Sequence, residues 1–219
     1  MTSVPLNKPE GPASDFEARQ WFIVGRLQQY EGETRACLLR MLAIFALYAV
    51  QMVHYFLLLA EKTPDDVKLH RQFTLLALGG TLFSLAILLC LKQKVFPAFL
   101  SYLSAAADAL LVTAAASLVA GPQSVLVRIY FLVIVAAALR MNLRLVWCIT
   151  ILVMVCYESL IAVADKRWFD AQHEVPPTEN LVMLLSLGIA GILVGQIIRR
   201  AKTVAIEYAR RLAAVKEGA

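Results

Sequence analysis

The chain has 219 residues, 60% of them hydrophobic and only 17% charged, with a mean hydropathy of +0.68. A soluble domain carries closer to a quarter charged residues, so that class is excluded. The net charge of +5 is gathered in short connections and a basic tail between apolar runs of about 20 residues, which match a 30 Å hydrocarbon core at 1.5 Å per helical residue. The pattern predicts an all-α polytopic membrane protein: six transmembrane helices, an N-terminal amphipathic helix and a C-terminal cytoplasmic helix.

Residues 1–13 read as a disordered lead-in. They are not a secretory signal, because the first apolar run begins only near Cys37. Ser14 and Glu17 then form a capping box, each side chain satisfying the other's exposed backbone N–H. Phe16, Ile23, Leu27 and Tyr30 fall near one helical face, with Trp21 and Val24 beside them and Arg19, Arg26, Gln28 and Gln29 over much of the rest. Two readings follow, a helix lying in the headgroup region or a solvated or bundle-packed one; Trp21 and Tyr30 favour the first. This arm, residues 1–36, precedes a transmembrane domain over 37–199 and a basic helical tail over 200–219.

The six apolar segments are 38–60, 73–91, 98–120, 125–139, 143–164 and 181–198. The fourth, about 15 residues, must draw on its flanks or thin the bilayer. Orientation follows from Lys and Arg. With both termini inside, the cytoplasmic segments hold Lys8, Arg19, Arg26, Arg35 and Arg40, then Lys92 and Lys94, then Arg140 and Arg144, and the tail adds Arg199, Arg200, Lys202, Arg210, Arg211 and Lys216. The opposite side receives only Lys62, Lys68, Arg71, Arg128, Lys166 and Arg167. An even number of spans agrees. The expectation is a multi-pass protein of the cell (inner) membrane with both termini cytoplasmic.

The outer face is small: residues 61–72, a turn at 121–124, and a loop over 165–180 in which Trp168 and Phe169 are interfacial anchors. That loop is too short for a folded ligand-binding domain, so a ligand is expected from within the membrane. Past Ile198 no Pro or Gly stops the helix before Gly218, and Val204, Tyr208, Leu212 and Val215 make a narrow apolar seam. The seam pairs two copies as a short coiled coil, or else the basic helix rests on anionic lipid.

Asp108 lies deep inside the third segment, and a carboxylate at bilayer depth costs about 2.5–3.5 kcal/mol on insertion scales, which marks it as a candidate functional site. It lies about ten residues into its segment, roughly 15 Å and so near the midplane, with Ser104 one turn before it. Three readings stand: a hydrogen-bonding link to a neighbouring helix, a proton or ligand site, or a residue tolerated at a water-filled seam. Arg128 and Glu158, both in the outer half, are expected to pair across adjacent helices. His54, one turn from Gln51, reads as a buried hydrogen-bonded histidine; haem would need a second placed ligand, and His70 and His173 lie outside apolar runs. Cys37, Cys90, Cys148 and Cys156 show no metal spacing and read as small buried residues. No metal is expected. On the sixth helix Gly191 and Gly195 form GxxxG, with Gly188 one turn earlier, which suits a dimer contact or packing within the bundle.

The chain contains no P-loop, HExxH, GxSxG or dinucleotide-binding glycine motif, so no enzyme is expected. Paired midplane acids and inverted repeats with broken helices, marks of many carriers, are also missing. The central third is more informative. Asp108, then Thr113, a small-residue run to Gly121 and Ser124, then Tyr130-Phe131, Ala136 to Leu139 and the basic turn at Arg140 resemble the membrane input region of bacterial sensor histidine kinases and the six-helix anchors of class III adenylyl cyclases. In the redox-sensing kinases the turn is Gly-Gly followed by Asn-Pro and is associated with quinone; here it is Gly121-Pro122-Gln123-Ser124. No cofactor is expected, with quinone and haem as the weaker alternatives. Such kinases and cyclases continue into catalytic domains, whereas this chain finishes at Ala219 with no His phosphoacceptor box and no cyclase domain. The chain is then a membrane fragment of a longer protein, or it acts through a separate partner.

The resemblance implies a sensory or regulatory module that detects a membrane or lipophilic signal at Asp108, Ser104, Thr113, Gly121, Ser124 and Tyr130 and passes it through the sixth helix. The alternatives are a non-catalytic subunit of a membrane complex and, third, a small-solute carrier or channel. Expected partners are membrane lipid, a second copy or other subunits of a complex, and a cytoplasmic effector; nothing points to nucleic acid.

Overall fold

The computed structural model describes residues 12–58, 63–93, 97, 99–119, 121–164 and 175–217, with side chains over 30–57, 63–93, 97, 99–119, 121–163, 175–208 and 211. The expectations for residues 1–11, for Trp168, Phe169 and His173, and for the side chains of Ser14, Glu17, Leu212 and Val215 lie outside these. All described elements are helical: α1 (Pro12–Val53), α2 (Pro64–Lys92), α3 (Leu100–Val119), α4 (Ile129–Ala138), α5 (Leu143–Ala164) and α6 (Pro177–Glu217). Five stretches, Tyr30–Leu57, Pro64–Lys92, Leu100–Val119, Leu143–Val163 and Pro177–Tyr208, are long and apolar enough to cross a membrane. A sixth, Val125–Ala138, is apolar but shorter. This is a multi-pass membrane protein.

Two expectations about boundaries change. The predicted interfacial helix is not a separate element, because α1 runs unbroken for 42 residues before a π-helical turn at His54–Leu58. At 1.5 Å per residue it is about 63 Å long, so residues 12–29 extend the axis of the first span. It also opens at Pro12, two residues before the Ser14 expected to begin it. Helix α2 starts well before residue 73. Thr63 and Asp66 form a full capping box there, with Pro64 supplying the preset φ of a first turn.

Side-chain contacts fix the register. Cys37 faces Ser84, Arg40 faces Phe83 and Tyr48 faces Thr74, so α1 and α2 are antiparallel. Thr113 faces Tyr130 while Ser104 faces Arg140, so α4 returns alongside α3. Thr150 abuts Gly191 and Leu143 abuts Gly195, which makes α5 and α6 antiparallel as well. The short return is possible because Ser124 caps a 3-10 turn at Val125–Arg128 that leads into α4. A 3-10 turn rises about 2 Å per residue, so the 14-residue stretch still covers about 23 Å.

The main core lies among α3, α4, α5 and α6. Ala105, Ala109 and Ala116 of α3 admit Tyr130, Val133, Ile134 and Ala137 of α4, all buried. Leu42, Phe45, Leu132, Ile151, Leu193 and Ile197 point outward, where hydrocarbon would cover them. Gly191 and Gly195 are both consumed by α5: a Cβ on Gly191 would meet Thr150 Oγ1 at 2.5 Å, and one on Gly195 would meet Leu143 at 3.2 Å. The GxxxG face is therefore intrabundle packing. Of the three α6 glycines, only Gly188 has open space beside it.

Candidate functional site

The polar centre of the molecule is assembled from three elements. On α1, Glu33, Ala36, Cys37, Arg40 and Ile44 recur at helical spacing and are all buried. Gly32 lets this face come close: a Cβ there would stand 2.5 Å from the Leu139 carbonyl oxygen. The α4–α5 turn supplies Arg140. It is tightened by backbone bonds from Leu139, Arg140 and Met141 back to the carbonyls of Ala136, Ala137 and Ala138, and Met141 takes a φ of 51°. Asn142 then caps α5, its Oδ1 accepting from the backbone N–H of Arg144 at 3.1 Å. Helix α3 contributes Ser104 and Asp108, one turn apart.

These residues form a charge-balanced network. Arg140 donates from Nε and Nη2 to the two oxygens of Glu33 at 2.7 and 3.0 Å, a bidentate fork. Its Nη2 also donates to Ser104 Oγ at 3.0 Å and lies 3.9 Å from Asp108 Oδ2. Arg40 donates from Nε to Asp108 Oδ1, and from Nη2 to Ser104 Oγ at 2.6 Å and the Ser104 carbonyl at 2.9 Å. Glu33 is 0% exposed, Arg140 2% and Arg40 7%, burial that is tolerable only because two acids meet two guanidinium groups. Ser104 accepts from both cations and so ties the pairs together.

Each guanidinium keeps one buried nitrogen, Nη1, without a hydrogen-bond partner. Arg40 lines an apolar crevice of about 270 Å³ among α1, α2 and α3, walled by Leu75, Leu76, Gly79, Gly80, Phe83, Ala107 and Leu111. Its guanidinium carbon sits 5.5 Å from the Phe83 ring centroid, a cation–π contact. Arg140 lines a separate cavity of about 500 Å³ with Ser101, Tyr102, Met141, Asn142, Leu143, Arg144 and Lys202.

The six residues read as a signal site are spread along the α3–α4 hairpin. Asp108 and Ser104 belong to the network. Thr113 and Tyr130 share a hydrogen bond of 2.7 Å between α3 and α4. Gly121, with a φ of 56°, and Ser124, whose hydroxyl caps the following turn, shape the connection. Neither cavity above touches Thr113, Gly121, Ser124 or Tyr130. The expected Arg128–Glu158 pair does not form: among the described residues no ion pair joins them, and Arg128 is exposed. His54 is also exposed, not buried, and it is His70 that stacks on Tyr55, with ring centroids 4.2 Å apart. Cys37 and Cys156 are buried as expected, whereas Cys148 is exposed.

Three residues of the network, Glu33, Arg40 and Arg140, were assigned to arm, boundary and turn by the sequence. The available signal was spacing, since Glu33 and Arg40 lie two turns apart on the face that also carries Ala36 and Cys37. Compared with protein-family models, curated proteins and solved structures, the chain matches none.

Proposed function

We propose that this protein is a sensory or regulatory membrane module, seated in the cell (inner) membrane with both termini cytoplasmic, that relays a membrane-borne signal to a cytoplasmic partner. The carrying observation is the network itself. A single carboxylate, Asp108, balances Arg40 of α1 and approaches Arg140 of the α4–α5 turn, so a change at Asp108 is felt on two elements at once. The apolar crevice beside it is lined by Arg40, whose Nη1 has no hydrogen-bond partner, and would suit a lipophilic molecule bearing a hydrogen-bond acceptor. Occupancy would draw on Arg40, loosen its grip on Asp108 and shift α1 against α3. The other end of the relay is α6, whose 41 residues run unbroken beyond the bundle and expose Val204, Ile206 and Tyr208. A continuous helix carries a shift along its axis.

The test uses the full chain in lipid nanodiscs, spin-labelled at Val50 and Tyr208, both exposed positions. Asp108→Asn should displace the distance distribution by several ångströms. A distribution unchanged in Asp108→Asn and in Arg40→Gln, with helix content intact, would sink the relay. The same exposed α6 face suits a second reading, a non-catalytic subunit of a membrane complex. Native mass of the gently extracted protein separates the two: a single copy inside a larger assembly favours the subunit.

A further inference from the structure

The 500 Å³ cavity at the α4–α5 turn is a different kind of place from the apolar crevice, and its chemistry points to a different ligand. Within the charge network Glu33 and Asp108 already offset Arg40 and Arg140. The cavity adds Arg144 from α5 and Lys202 from α6, and among the described residues neither is in an ion pair. Two positive charges are thus left over at one opening. Arg140 lines it and is 2% exposed, with Nη1 buried and without a partner while Nε and Nη2 are held by Glu33 and Ser104. A buried donor left open costs free energy unless a ligand or water satisfies it.

The backbone favours the same charge. Helix α5 begins at this cavity, so the positive end of its dipole faces it. Met141, a lining residue, is held in the left-handed region that an unbranched non-glycine residue enters at a cost, and that turn sets Arg140 and Asn142 on the cavity wall. Ser101 and Asn142 contribute uncharged polar groups, and Tyr102 an aromatic edge suited to a membrane interface. We infer that this cavity binds a phosphate group, with Arg140, Arg144 and Lys202 as its cationic contacts and Ser101 as a hydroxyl donor. Two sources carry that group to the membrane boundary: the headgroup of an anionic phospholipid, and free phosphate in the adjoining water. The inference shares Arg140 with the relay proposed above but uses neither Arg40 nor the apolar crevice, and its test varies only Arg144 and Lys202.

The experiment places the full chain in nanodiscs of phosphatidylcholine with increasing phosphatidylglycerol and counts retained lipid by native mass spectrometry after release. A parallel arm titrates inorganic phosphate against chloride at matched ionic strength into delipidated protein and follows thermal stability. Retention of phosphatidylglycerol over phosphatidylcholine, falling roughly fivefold with each of Arg144→Gln and Lys202→Gln, identifies a headgroup site. A phosphate-specific stabilisation lost in the same variants, without lipid selectivity, identifies a free-phosphate site. Both side chains are exposed, so the variants should fold normally, and the charge-conserving pair Arg144→Lys and Lys202→Arg should retain binding. Equal retention of both lipids together with equal responses to phosphate and chloride overturns the inference.

Discussion

At the scale of single residues the network makes a sign prediction that separates its charges from their packing. Asp108→Asn removes one charge and leaves Arg40 buried among Cys37, Phe83 and Ser104 with its Nε contact neutralised. Breaking one side of a buried pair costs about 3–5 kcal/mol, because the surviving ion stays desolvated. Removing both charges abolishes that penalty. Arg40→Met with Asp108→Leu should therefore be more stable than Asp108→Asn alone, recovering most of the loss. Reversible unfolding of the three proteins in one detergent measures this. A double variant no better than the single one would mean that Asp108 acts through hydrogen-bond geometry and not through charge.

At the scale of elements, two glycine-bearing or apolar faces of α6 have opposite roles. Gly191 is closed against Thr150, so Gly191→Val must push α5 and α6 apart, costing about 1–3 kcal/mol by overpacking without altering any association between chains. Val204 and Tyr208, each 65% exposed, have no such contact. Val204→Ser with Tyr208→Ser should leave unfolding unchanged and lower the native mass of whatever assembly the chain forms. Melting curves and native mass on the same two samples check both halves. The helices themselves were legible in the sequence, because uninterrupted apolar runs have no other stable use. Asp108 was legible too, as a lone acid inside such a run. Its partners were not, because Arg40 and Arg140 stand at the ends of apolar runs, where a charge ordinarily faces water. A guanidinium on a three-carbon stem can instead reach back toward the bundle interior, and only packing decides which it does. The same limit explains the missed pairing of Arg128, which has an open surface and no need of Glu158. The α1 boundary failed for a different reason. The polar arm and the first apolar run differ in composition, yet one continuous helix serves both, and Gly32 within it gives the bare surface that Leu139 approaches.

At the scale of the whole molecule, the network bears on how the chain sits in its membrane. Glu33 of α1 binds Arg140, and Arg140 shares a cavity with Lys202 of α6, so the first and last helices meet the α4–α5 turn at one end of the bundle. Because α4 runs back along the length of α3, the arms of α1 and α6 both leave the bundle at that end. Charge favours the cytoplasmic side for that end. Arg40 and Arg140 carry full charge at insertion, before their pairs form, and they add to Arg144, Arg199, Arg200 and Lys202 in holding that end inside. In a cysteine-free background, Ala18→Cys and Ala213→Cys should therefore be shielded from a membrane-impermeant maleimide in intact cells, while Gln172→Cys is labelled. After permeabilisation all three should react. Labelling of Ala18→Cys and Ala213→Cys on opposite sides would contradict the shared end of α1 and α6 and place one of the two long helices beyond reach of any cytoplasmic partner. The relay would then lose the end into which it delivers.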